Sequence, residues 1–197
     1  MTYQFQNRGK HPIVLASNSP RRREYLAGMG HEFTATSADV DESLPEGLSP
    51  RDGVVLLSER KACAIDLPPG TLLIAADTLV ELDGVPLGKP IDEKDAVAML
   101  RRLSGTHHLV HTGVAVRLDG KMQSAVCTTV VNFRTLSDAE IAEYVASGEP
   151  MDKAGAYGIQ GLGGALVASI DGEFDNVVGF PRTLVDKMLA EMTGEGI

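Results

Sequence analysis

The segment His108–Arg134, "HLVHTGVAVRLDGKMQSAVCTTVVNFR", sets two long runs rich in β-branched residues on either side of Asp119-Gly120. An Asp-Gly pair tolerates the backbone of a tight two-residue turn, so the segment predicts a long antiparallel hairpin. Two strands alone are marginal in water, so the hairpin must lie in a larger sheet. Around it the chain alternates. "PIVLAS" and "TLLIAAD" are short apolar runs of the kind that form buried strands, the second ending at Asp77. Ser19-Pro20 and Ser49-Pro50 each set a capping hydroxyl before a proline suited to the first helical position. They predict helices reaching about Met29 and about Asp66. Further helices are expected over about Asp92–Leu103, from a Ser137/Glu140 capping box to about Ala146, and from Pro181 to about Met192. "GALVASIDG" reads as one more strand. Strands interspersed with helices, plus one strong antiparallel pair, give an α/β or mixed α+β fold with helices flanking a mixed sheet.

The chain has 197 residues, enough for one domain with a substantial core. Residues 1–12 are polar and read as an N-terminal extension; 13–197 read as a single domain. A net charge of -9 argues against the broad basic face that non-specific binding to nucleic acid or an anionic membrane requires. It leaves room for a small anion in a local basic pocket. Cys63 and Cys127 are far apart and outside any C-x-x-C pattern, which predicts two buried thiols in a reducing compartment. With no apolar leader and no membrane-length apolar run, the expected location is the cytoplasm.

Against that acidity, "LASNSPRRR" concentrates Arg21, Arg22 and Arg23 in the first turn of a helix. Free N–H groups and the positive end of the dipole already favour anions there, so arginines add to an anion trap that a phosphate chain would satisfy. A solvated helix face is the other reading. "GVPLGKP" is one residue short of a phosphate-binding P-loop and has Pro90 where that loop needs Ser or Thr. Lys89 can still reach a phosphate as a point charge. Asp77 closes an apolar run, and a charge there is costly unless paired or used. "ADVDE" adds Asp39, Asp41 and Glu42, and carboxylates facing a basic cluster suit a divalent ion bridging to phosphate oxygens. The blander readings are a turn cap at Asp77 and a solvated acidic loop. "EPMDKAGAYGIQG" combines small residues, which admit a ligand close to the backbone, with Asp152, Lys153, Tyr157 and Gln160. His107, His108 and His111 cannot converge from one strand and read as ordinary sheet positions. No G-x-S-x-G elbow supports a serine hydrolase.

Taken in order, "LASNSPRR", "DVDE", Lys61 in "SERKA", "AADT", "LGKP", "LSGTHHLVHTGV", "DKAGAYGIQG" and "NVVGFP" resemble the Maf family of nucleoside triphosphate pyrophosphatases. The resemblance runs from Ile13 to about Lys187. It implies a two-lobed mixed sheet with a central cleft, similar to the inosine triphosphate pyrophosphatases. It also implies hydrolysis of a nucleoside triphosphate to the monophosphate and pyrophosphate with magnesium or manganese. Arg21, Thr78 and Gln160 look like the branch acting on dTTP and UTP, while Phe180 departs from the usual leucine. The implied catalytic residues are Asp77, Glu42, Lys61 and Lys89, with Asp77 and Glu42 toward the metal. Ser17, Arg21, Arg22, Thr78, Asp152, Lys153 and Gln160 are the implied substrate contacts. A homodimer is compatible with the resemblance. The alternatives are a purine-type pyrophosphatase acting on inosine or xanthosine triphosphate, and a non-catalytic nucleotide-binding regulator of cell division.

Overall fold

A computed structural model describes residues 11–37 and 39–194 of the chain. The expected extension therefore falls largely outside the described residues. His11 and Pro12, at its end, already bond to Gly70 and Leu72.

Seven strands form one sheet: β1 (Ile13–Ala16), β2 (Phe33–Thr36), β3 (Leu72–Leu82), β4 (Val85–Leu87), β5 (His107–Leu118), β6 (Lys121–Phe133) and β7 (Val167–Asp171). Their order is β2-β1-β3-β5-β6-β7, with β4 paired to β3. The β2-β1-β3 part is parallel and the rest antiparallel, so the sheet is mixed as its sequence pattern predicts. The hairpin turns at Asp119-Gly120, where both residues have positive φ. Helices α1 (Pro20–Gly28), α2 (Pro50–Cys63), α3 (Glu93–Leu103), α4 (Asp138–Ala146), α5 (Phe174–Val178) and α6 (Arg182–Thr193) surround the sheet. Ser19, Ser49 and Ser137 cap α1, α2 and α4 through their side chains, and the Ser137/Glu140 box closes in both directions. No helix among the described residues is long and apolar enough to cross a membrane.

The core divides along β3 and β5. One cluster joins Leu15, Leu26, Leu72, Ile74, Val114, Phe180 and Met188 beneath α1 and α6. A second joins Val80, Leu82, Leu100, Val110, Tyr144 and Tyr157 beneath α3 and α4. Between Ala76 and Val80 the strand passes from one lobe to the other. A small third cluster, with Ala62, Leu73, Ala75 and Ala115, seats α2 on the opposite face. That seat is close: a Cβ on Gly113 of β5 would lie 2.2 Å from the Val54 carbonyl oxygen of α2.

Four features differ from the sequence expectation. Strand β3 continues past Asp77 to Leu82, because β5 pairs with it through Glu81. The short elements β2, β4 and α5 appear where no element was expected. Helix α2 ends at Cys63 rather than near Asp66, and the Cys63 thiol faces solvent instead of lying in the core. Cys127 is half-buried.

Candidate active site

Strand β1 lies between two parallel neighbours, and the chain leaves it first toward β2 and later returns to β3 on the other side. In open α/β sheets a crevice forms outside the carboxyl ends of the strands where the winding reverses. Here it is deepened by a gap along β3. The register with β1 stops at Ala75, and β4 joins only at Val80. Asp77 and Thr78 therefore stand on a length of strand with one edge uncovered. A cleft of ≈ 1080 Å³ opens at this point.

The β1–α1 turn forms one wall. Ser17 is buried, and its hydroxyl accepts a bond from the Ser19 N–H (3.1 Å). This orders the turn that aims Arg21 and Arg22 into the cleft. The first turn of α1 carries no acidic residue to balance its arginines. Arg22 reaches across the uncovered edge of β3. Its guanidinium donates to the Ala76 carbonyl (2.7 Å), the Gly179 carbonyl (2.9 Å) and the Thr78 hydroxyl (3.0 Å). A strand carbonyl without a ladder partner is thereby satisfied. Burial pushes the Arg22 pKa below the ordinary arginine value, against the pull of the Asp77 charge. Thr78 in turn donates to Thr112 (3.0 Å), since the Thr112 proton is already given to the Asn176 carbonyl (3.0 Å). Thr78 is thus first a partner of Arg22.

Lys61 rises from the last turn of α2 between two carboxylates. It pairs with Asp77 in a short contact and with Glu42 at 2.8 Å, and the Lys61 and Asp77 side chains are each 13% exposed. The Lys61 hydrogen bond holds the Glu42 carboxyl below its ordinary range despite some burial. Lys89 follows β4, where the Gly88 carbonyl accepts from the Gly155 N–H (3.0 Å) and so ties this wall to the glycine-rich one. Among the described residues the Arg21 and Lys89 side chains make no hydrogen bond or ion pair. Opposite them, Asp152 and Lys153 form a pair at the rim, and the lysine keeps the aspartate's pKa low. Gln160 lies further along the same segment and donates from Nε2 to the Tyr25 hydroxyl (3.2 Å). Every site residue that the resemblance implied therefore lines one cleft.

The histidines lie elsewhere. His108 is buried against Tyr157 (2.8 Å), while His111 bonds Thr128 (2.8 Å) and Glu81 (2.9 Å). His107 is exposed.

The sequence reading gave no role to Glu149, although it opens the quoted glycine-rich stretch. Its carboxylate accepts from the Tyr144 hydroxyl (2.9 Å) and from the N–H groups of Leu162 (2.9 Å) and Gly163 (3.0 Å). Burial works to raise its pKa, but these donors outweigh it and hold the group ionised. Glu149 folds the Gly158–Gly163 segment into a wall. Tyr25, Asp175 and Asn176 were likewise unassigned, because their partners are distant in sequence.

Asp77 and Glu42 offer the hard oxygens a divalent cation takes, and they already converge on one positive centre, the Lys61 ammonium. Among the described residues no group of three or more His, Cys, Asp or Glu side chains is placed to hold a metal. Two carboxylates suffice for an ion that completes its shell with substrate phosphates and water, as magnesium commonly does. The residues present fit such an ion.

A mixed α/β protein with a polar, cation-lined cleft at its strand switch point is the class this architecture defines. The chain belongs to the Maf family: residues 12–192 match the family model described as Maf-like protein. It is 48% identical over 180 residues to the dTTP/UTP pyrophosphatase of Pelotomaculum thermopropionicum, covering 90% of this chain and 94% of that protein. It is 52% identical over 173 residues to a dTTP/UTP pyrophosphatase of Anaeromyxobacter dehalogenans, covering 86% and 88%. Among solved structures it is similar to a nucleoside-triphosphatase, dITP/XTP pyrophosphatase, of Mycobacterium abscessus, at 14% identity and a TM-score of 0.45 over 91% of this chain and 94% of that one.

Proposed function

We propose that this chain hydrolyses dTTP and UTP to the nucleoside monophosphate and pyrophosphate. The observation that carries the reading is the gathering of Arg21, Lys61, Lys89 and Lys153 with Asp77 and Glu42 on one cleft of nucleotide size. Relatives covering about nine-tenths of the chain and named for this activity support it. A water oxygen forms a bond to the α-phosphorus as the bond from that phosphorus to the bridging oxygen breaks. Pyrophosphate departs with the electron pair, and the water proton passes to the Asp77 carboxylate. Lys61, packed against Asp77, fixes where that carboxylate points. Arg21 and Lys89 meet the phosphate oxygens as charge builds on them. A magnesium or manganese ion held by Asp77 and Glu42 would supply neutralisation of the phosphate charge. Gln160 presents an amide to the base. The same reading places the protein in the cytoplasm, where nucleoside triphosphates are made and used.

The test is pyrophosphate release across a panel of pyrimidine and purine triphosphates, with magnesium, with manganese and with a chelator. Turnover should be greatest with dTTP and UTP and should stop with the chelator. Release of orthophosphate and a nucleoside diphosphate would place the attack at the γ-phosphorus and overturn the assignment. Preference for inosine or xanthosine triphosphate would overturn the choice of base.

A further inference from the structure

The amide of Gln160 can discriminate between bases only if its oxygen and nitrogen cannot exchange places. Uracil and thymine present an acceptor, O4, beside a donor, N3–H. Cytosine presents the reverse order, N4–H₂ beside an acceptor N3. A half-turn of a glutamine amide about its last bond would convert a match for one into a match for the other. Something must hold it.

A chain of donors and acceptors lies behind Gln160. Arg182 of α6 donates to the Asp175 carboxylate in a short ion pair, and its guanidinium lies 5.4 Å from the Tyr25 ring centroid. The Asp175 carboxylate also lies beside the Tyr25 hydroxyl, where its charge and hydrogen-bonding interaction favour the protonated phenol. A carboxylate engaged by arginine only accepts, so the single hydroxyl proton of Tyr25 is drawn toward Asp175. The Tyr25 oxygen is then left to accept, and it does so from Gln160 Nε2 at 3.2 Å. Burial, and then the Asp175 charge, push the Tyr25 pKa up, so the phenol keeps its proton. Gln160 retains one N–H and both lone pairs of Oε1 for a ligand in the cleft it lines. Turning the amide over would set Oε1 against an oxygen whose proton is drawn toward Asp175. Two acceptors would then face each other.

We propose that Tyr25 and Asp175 are positioning residues that lock the Gln160 amide in the orientation matching a 4-oxo pyrimidine and rejecting a 4-amino one. The proposal rests on the reading of this cleft as a pyrimidine nucleotide site with Gln160 at the base. It assigns to α1 and α5 a part in specificity without contact with the substrate.

Tyr25→Phe removes the oxygen that holds Nε2 and frees the amide to turn. Asp175→Asn acts differently: its new amide can donate to the Tyr25 oxygen, releasing the hydroxyl proton to meet Gln160 in either orientation. Both variants should lower the ratio of kcat/KM for UTP over CTP by about tenfold or more, chiefly through a gain in CTP. Activity on UTP should change less than that ratio. A merely structural role for Tyr25 would depress both substrates together and leave the ratio unchanged, which overturns the proposal. Should Tyr25→Phe fail to fold, Asp175→Asn decides alone by the same ratio. If the unmodified protein turns over neither UTP nor dTTP, the functional reading itself has failed; if it prefers UTP and both variants keep that preference, only the lock has failed.

Discussion

Asp77 and Arg22 are neighbours in the cleft, yet substitution should separate their roles. Asp77→Asn keeps shape but removes both the basicity the reaction uses and the charge paired with Lys61. We expect turnover to fall about 100-fold or more in a folded protein, measured as pyrophosphate release. Near-normal turnover would move the role to Glu42. Arg22 is different because its fork is spent on three protein acceptors. Arg22→Lys keeps the charge but cannot reproduce that planar geometry. It should lower stability by about 1–3 kcal/mol, seen as a fall in Tm, because the Ala76 and Gly179 carbonyls lose their donor. A variant that melts like the parent and loses only substrate affinity would return Arg22 to a purely phosphate-binding role. These side chains were legible as a set because ordered motifs carry them. Their division of labour was not, since the partners of Arg22 lie at residues 76, 78 and 179 and no local pattern links them. Glu149 was hidden for a similar reason: its acceptors' work is done on backbone N–H groups, which leave no mark in the sequence.

At the scale of elements, capping and turn chemistry were readable where the local signal was complete. The Ser-Pro starts of α1 and α2 and the Ser137/Glu140 box are formed as expected. The second hairpin, β3–β4, was missed although it carries the same signal as the first. Asp83-Gly84 has positive φ at both residues, as Asp119-Gly120 does. The charge of Asp77 masked it, because a carboxylate in an apolar run looks like the end of a strand. What the run could not reveal was that Lys61 from α2 neutralises that carboxylate and lets β3 continue. The placing of α2 is therefore functional, and Gly113 sets it. Gly113→Ala drives a methyl group into the Val54 carbonyl, a backbone atom that cannot swing aside. We expect a loss of about 1–3 kcal/mol or more in denaturant unfolding. Turnover at a temperature where the variant stays folded should also fall, since a displaced α2 carries Lys61 away from Asp77. Unaltered turnover in the folded variant would show that the site does not depend on the depth of the helix.

The whole molecule is two packed cores joined through β3 and β5, and this division was suggested by resemblance rather than by any break in composition. The second core carries an unusual cost. His108 sits within it with its ring edge-on to Phe133 and Tyr157, at centroid distances of 5.1 and 5.3 Å. Its Nε2 meets the Tyr157 hydroxyl, while Nδ1 has no protein partner. Burial, and secondarily His107, push its pKa down to about 4. The unfolded chain takes up a proton at this residue near the ordinary histidine value of about 6.5. Between those two values the unfolded state binds more protons than the folded one, so stability rises with pH across that window. The contribution is complete above about 6.5 and is lost progressively as the pH falls toward about 4, by roughly 2–4 kcal/mol in all. Carboxylates held below their ordinary range, among them Glu140 at about 2, add their own acid sensitivity, mainly lower on the pH scale. His108→Gln keeps a group able to bond Tyr157 but cannot titrate. Urea unfolding of the two proteins at several pH values between 7.5 and 4.5 should therefore show the parent losing stability faster on acidification. Parallel pH profiles would mean that the His108 ring is protonated as readily in the folded protein as in the unfolded chain.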